Sequence, residues 1–203
     1  MQPGSSKDPL LALRRVVIIG APGAGKSTLA VKLSACLDLP LEHLDDYYWA
    51  PRWRRVPIEI FDQRHAALLT ARRGIIDGNF LRWVPDRLRW AEAVIYLDVP
   101  TWTALLGIAV RSFHRLLGLR TTLPAAVALG GPAREPLDFR FISFVATFRT
   151  KVRPVLLREL KAHAHLIVIQ LYSRREADDL IRGLMESASS RPTPPATRLE
   201  YER

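Results

Sequence analysis

The chain has 203 residues, 48% of them hydrophobic and 25% charged, with a formal net charge of +10. These values describe a soluble protein with one sizeable core, and they argue against a disordered chain or a membrane protein. A single cysteine, Cys36, excludes an internal disulfide and a Cys-rich metal site, which makes a reducing cytoplasm the expected home.

The opening MQPGSSKDP is polar and lacks the apolar run of a secretory signal, so residues 1–13 are expected to form a flexible N-terminus. The run Arg15-Val16-Val17-Ile18-Ile19 is short, β-branched and uninterrupted, as a strand buried on both faces would be. After a Gly-rich turn, Leu29, Ala30, Leu33, Cys36 and Leu37 recur at helical spacing until Asp38-Leu39-Pro40 ends the pattern. There follow a short strand over 41–45, a helix over 58–72, and strands over 74–77 and 93–98. A helix over 101–117, a helical stretch over 138–160, a strand over 166–171 and a last helix from Ser173 complete the order. Ser173 and Glu176 have the spacing of a capping box.

Strands alternating with helices predict an α/β fold, a parallel sheet with helices on both faces, in one domain over 14–186. Residues 118–138 are rich in turn formers, carry Arg120 and Arg134, and are too long for an ordinary connection, so a lid is expected there. The tail over 187–203 is too rich in Ser, Pro and charge to offset its ordering entropy and is expected to be disordered. Arg111 and His114 interrupt the most apolar stretch, 101–119, so no transmembrane helix is expected.

Gly20-Ala21-Pro22-Gly23-Ala24-Gly25-Lys26-Ser27, followed by Thr28, matches G-x-x-x-x-G-K-[ST] in full, between a buried strand and an amphipathic helix. Glycines let the backbone wrap closely enough for consecutive N–H groups to face phosphate oxygens, and the helix adds the positive end of its dipole. The motif predicts ATP and Mg²⁺ as cofactors, with Lys26 on the β- and γ-phosphates and Ser27 on the metal.

Ligands of open α/β sheets bind beyond the carboxyl ends of the strands, which singles out Asp45 with Asp46, Asp77 and Asp98. Asp77 is expected to serve the metal and Asp45 an acceptor hydroxyl, whereas Asp98, before Val99-Pro100-Thr101, is expected to cap. His43 is expected to be a half-buried strand residue. Tyr47, Tyr48, Trp49 and Trp53 either wall an acceptor pocket or cover the sheet edge. Arg111 with Arg115, and Arg149 with Arg153, stand four apart on helices and are candidates to stabilise charge on a transferring phosphoryl group. The cations are scattered and only 5 of the 30 are Lys, so a small-molecule acceptor is favoured over nucleic acid as partner, with no membrane and a monomer expected.

The segments VVIIGAPGAGKSTLA, LEHLDDYYW, IIDGNF, AEAVIYLDVP, DFRFISFVATFRTKVRP and SRREADDL together resemble the adenylate-kinase-like P-loop kinases. Among these they are most similar to the DNA topology modulation (FlaR-like) family. That resemblance implies a three-layer P-loop NTPase fold with a five-stranded parallel sheet of order 2-3-1-4-5 and an arginine-bearing helical or loop lid. It also implies an ATP site at the first loop, an acceptor site over the second and third strands, and ATP-dependent phosphotransfer, with a nucleotide-dependent DNA-associated ATPase as the alternative. Asp77-Gly78 is similar to the step at which nucleoside monophosphate kinases place a ligand of Mg²⁺-bound water. Asn79-Phe80-Leu81-Arg82 stands where those kinases have an aromatic residue, Pro and Arg, so AMP is not implied as the acceptor.

Overall fold

The computed structural model describes residues 9–117, 124, 127–128 and 139–189. Among the described residues there are seven strands: β1 (Arg15–Gly20), β2 (Leu41–His43), β3 (Trp49–Ala50), β4 (Arg54–Arg55), β5 (Gly74–Asp77), β6 (Ala93–Leu97) and β7 (Ile167–Leu171). The helices are α1 (Lys26–Leu37), α2 (Leu44–Tyr48), α3 (Ile58–Leu68), α4 (Val84–Trp90) and α5 (Thr101–Leu116), then α6 (Phe139–Thr147), α7 (Arg153–Ala162) and α8 (Arg174–Ser189).

Five strands form one parallel sheet in the order β2-β5-β1-β6-β7. The expected numbering 2-3-1-4-5 changes because β3 and β4, unforeseen in the sequence, enter the count and pair only with each other, antiparallel. The core sits on the central strands: Val16, Val17, Ile18 and Ile19 are 0% exposed, and β5 and β6 are buried along their whole length. Strands read as unbroken apolar runs when helices cover both faces of a sheet. Helix α1 packs with α8, and α4 with α7.

Three expected elements come out differently, and one helix was not expected. The second strand stops at His43, and Asp45 lies in the first turn of α2 rather than at a strand end. Helix α3 ends at Leu68 rather than 72. The long helix over 138–160 is interrupted by a π-helical turn, Phe148–Val152, after which α7 restarts with a proline in its first turn. Thr147 Oγ1 donates to Ser143 O at 2.7 Å and Thr150 Oγ1 to Thr147 O at 3.0 Å, local bonds that compete with regular helix at this break. Short α4 lacks the length for a clear helical period and was not foreseen.

Pro9–Ala12 form a turn of 3-10 helix, and Leu10, Leu11 and Leu13 pack on the core, within the stretch expected to be flexible. Helix α8 continues to Ser189 with one half of the expected capping box formed: Glu176 N–H donates to Ser173 Oγ at 3.1 Å, while Glu176 Oε2 accepts at 2.9 Å from the N–H of Tyr172, one residue before the cap. Except for Pro124, Val127 and Ala128, the expected lid over 118–138 lies outside the described residues, as does the tail beyond Ser189. Among the described residues no helix is long and apolar enough to cross a membrane.

Candidate functional site

Parallel pairing brings Gly20, His43, Asp77 and Leu97 to one edge of the sheet, through the registers Ile18↔Asp77, His43↔Asp77 and Gly20↔Leu97. There the chain leaves β1 as the loop Gly20–Ser27. Gly23 has φ +79° and Gly25 φ +105°, in the left-handed region that glycine adopts without strain. A Cβ at Gly23 would also lie 2.2 Å from Ala104 O, so the loop is fitted against α5 as closely as backbone allows. No side chain caps α1 at Gly25, and the first-turn N–H groups of a helix, here those of Lys26, Ser27 and Thr28, are where an anion can bind. Lys26 Nζ donates to Ala21 O at 3.0 Å, and Arg174, from the start of α8, donates to Gly23 O at 2.7 Å.

Asp77 is 5% exposed and joins the loop to β2. Its Oδ2 accepts from Ser27 Oγ at 2.7 Å and contacts His43 Nδ1 at 2.9 Å, while its Oδ1 is buried with no hydrogen-bond partner. The bond to Asp77 raises the pKa of His43, against the opposing effect of burial. A hydroxyl and a carboxylate with an unsatisfied buried oxygen are hard donors of the kind Mg²⁺ takes, with substrate phosphates and water supplying the rest. Ser27 and Asp77 therefore fit the metal that the loop motif implies, which would supply charge neutralisation on the phosphates. No cluster of three or more acidic, His or Cys ligands occurs among the described residues, and a metal shared with phosphates needs none.

These groups open into a cleft of ≈ 1070 Å³ that also holds Asp45, Tyr48, Trp49, Trp53, Phe80, Arg111 and Arg140. Asp45 is reached by water at the cleft surface yet crowded by protein, and this crowding, followed by the charge of Asp77, raises its pKa. The charges of Lys26 and Arg111 and a bond from Trp49 Nε1 at 3.2 Å act in the opposite direction. Burial lowers the pKa of Lys26, while Asp77 and Asp45 hold it up. The charges of Asp77 and Arg111 thus reach both Lys26 and Asp45 across the cleft. The aromatic wall is continuous: Trp53, Trp49, Tyr48 and Phe80 follow one another at ring-centroid distances of 5.4, 5.0 and 4.7 Å. Trp53 and Phe80 both have left-handed backbone, φ +57° and +34°, a conformation that costs about 1–3 kcal/mol per non-glycine residue.

The loop after β5 is held from two sides. Asn79 Oδ1 accepts from Gly20 N–H at 2.9 Å, and Asn79 Nδ2 donates to Gly20 O at 2.5 Å. Arg87, on α4 and 0% exposed, donates to the carbonyls of Gly78 and Asn79 and, at 3.4 Å, of Phe80. Burial lowers the pKa of Arg87 to about 9, so it remains a cation at neutral pH.

No family model and no curated protein matches the sequence. Solved structures do match the fold. Shikimate kinase from Acinetobacter baumannii in complex with shikimate aligns over 91% of this chain and 97% of that one, at 15% identity and a TM-score of 0.55. The likeness is one of fold. Shikimate kinase from Bacteroides thetaiotaomicron also aligns, over 87% of this chain and 99% of that one, at 15% identity and a TM-score of 0.46.

Of the residues singled out in the sequence, Lys26, Ser27, Asp77, Asp45 and Arg111 share the cleft. The side chain of Arg115 lies outside the described residues, as do Arg120 and Arg134. Arg149 and Arg153 are not among the cleft-lining residues. Arg153 Nε donates to both oxygens of buried Asp98, at 3.0 and 2.8 Å, and Gln170 donates to the same carboxylate at 2.8 Å. Asp98 is thereby an anchor between β6, β7 and α7, a different task from the cap expected of it. His43 is half-buried as expected, but its partner is the site carboxylate. Sequence reasoning missed Arg174, Asn79 and Arg87; of these only Asn79, directly after Asp77-Gly78, carried a local signal.

Proposed function

We propose that this chain is an ATP-dependent phosphotransferase acting on a small molecule that bears a hydroxyl or phosphate. One observation carries the reading: Lys26 and the bonded pair Ser27–Asp77 share a single cleft with Asp45. The cleft volume is at the upper limit of the roughly 300–1,000 Å³ that holds one drug-sized ligand, which leaves room for nucleotide and acceptor together. In the proposed reaction the bond from the γ-phosphorus to the β-bridging oxygen breaks and a bond to the acceptor oxygen forms. The acceptor's proton passes to Asp45, whose raised pKa makes it a better base than an ordinary aspartate. Lys26 and Arg111 offset the negative charge spread over the transferring group.

The proposal includes the finer likeness to adenylate-kinase-like and FlaR-like proteins, supported by the H-L-D and D-G-N segments at His43–Asp45 and Asp77–Asn79. An acceptor screen scored for ADP release tests it: release that requires one small acceptor supports a kinase. Release indifferent to every acceptor but stimulated by duplex DNA at physiological salt would replace it with the DNA-associated ATPase, the reading that the +10 charge favours.

A further inference from the structure

The ladder between β1 and β5 ends at Ile18↔Asp77, with one more bond from Gly78 N–H to Ile18 O at 3.2 Å. Beyond it the two chains part, β1 into the phosphate loop and β5 into Gly78–Phe80. Gly20 would there leave an N–H and a C=O facing the departed strand, and buried backbone groups require partners. A primary amide carries the same donor and acceptor pair as a peptide, and the amide of Asn79 satisfies both groups of Gly20. It acts as one extra rung of the sheet, made by a side chain.

The rung is itself held. Arg87 gathers the carbonyls of Gly78, Asn79 and Phe80 from the buried side, so the backbone that carries the amide cannot drift. Gly20 has no slack either, because a Cβ there would lie 2.5 Å from Leu97 O. The first peptide of the loop is therefore clamped between β6 on one side and Asn79 on the other.

We propose that Asn79 is a positioning residue for phosphate binding: its amide sets the peptide groups of Gly20, from which the direction of the following loop N–H groups is built. The proposal rests on the reading that Gly20–Ser27 binds nucleotide phosphates, and it does not depend on where the phosphate goes. Positioning within tenths of an ångström matters because each N–H bond to a charged oxygen weakens steeply with misalignment.

The test is the dissociation constant of ATP-Mg and of Mg-pyrophosphate at 25 °C, a probe that touches only the cradle, beside the melting temperature of the free protein. Asn79→Ala removes both bonds, and Asn79→Asp keeps an acceptor for Gly20 N–H but sets a carboxylate against Gly20 O. Both variants should bind each probe at least about 10-fold more weakly while remaining folded. Arg87→Lys, a point charge that cannot gather three carbonyls, should act in the same direction. If Asn79→Ala does not fold, Asn79→Asp carries the measurement. A lowered melting temperature with affinity for both probes within twofold of wild type would reduce Asn79 to a structural role and overturn the proposal. Weakened binding in a protein that transfers phosphate to no acceptor would refute the kinase reading and leave Asn79 as assigned.

Discussion

Gly107 lies in the middle of α5, where alanine ordinarily stabilises a helix by about 1 kcal/mol relative to glycine. In this fold the same change should do harm. A Cβ at position 107 would lie 2.1 Å from Gly23 O and 2.2 Å from an Arg174 guanidinium nitrogen. Arg174 can swing away. The Gly23 carbonyl cannot, because that residue has φ +79° and is itself fitted against Ala104 O. Restoring a C···O contact of roughly 3.3 Å requires α5 and the phosphate loop to separate by about 1 Å. Overpacking of this kind costs about 1–3 kcal/mol, which cancels or exceeds the helical gain. Misplacement by about 1 Å is worth up to about 10²-fold in a positioned reaction. We therefore expect Gly107→Ala to be neutral or destabilised by up to about 2 kcal/mol in urea titration. Its ATP-Mg affinity, measured by calorimetry, should fall by at least about 10-fold. A variant stabilised by the ordinary helical increment, with wild-type affinity, would refute the close approach of α5 to the loop.

Lys26→Ala should keep the fold, since its one described bond is to a carbonyl of its own loop, and should abolish nucleotide turnover; wild-type turnover would sink the assignment. Asp45→Asn should keep ATP-Mg affinity within a few-fold while transfer to an acceptor falls at least about 10²-fold and hydrolysis to water changes far less. Loss of affinity, with both rates falling together, would move Asp45 to the metal. His65 is 2% exposed, stacked on Phe61, and burial lowers its pKa to about 4. Its folded-state pKa lies below the unfolded value of about 6.5, so its contribution is complete above pH 6.5 and is lost as pH falls toward 4. Urea melts should show His65→Phe flattening this loss, by up to about 3 kcal/mol between the two limits, and an unchanged pH profile would contradict it.

What the sequence disclosed about this site was local. The phosphate loop was legible because strand, glycines and helix are contiguous, and Asp77 because a strand ends on it. The same rule pointed to Asp45 although its element is α2, since only Leu44 separates it from the end of β2. Arg174 reaches Gly23 across 151 positions and Asn79 reaches Gly20 across 59, distances over which no spacing rule operates. The arginines show the limit most clearly. Arg111 and Arg153 each had a partner four residues away, yet one faces Lys26 and Asp45 while the other is bound to Asp98. A helical period shows that two residues share a face, and only packing decides what that face meets.

The central place of β1 has a consequence for how the chain is made. Of the described strands, the first to leave a ribosome is the one that ends in the middle of the sheet, and its neighbours β5 and β6 follow only at residues 74 and 93. At about 5–20 residues per second, Val16–Ile19 have no strand to pair with for roughly 3–11 s after their own synthesis. An unshielded run of β-branched residues is what aggregation recruits. Cellular yield of this protein should therefore depend on translation speed between residues 20 and 77 and on holdase chaperones, more steeply than its finished stability would suggest.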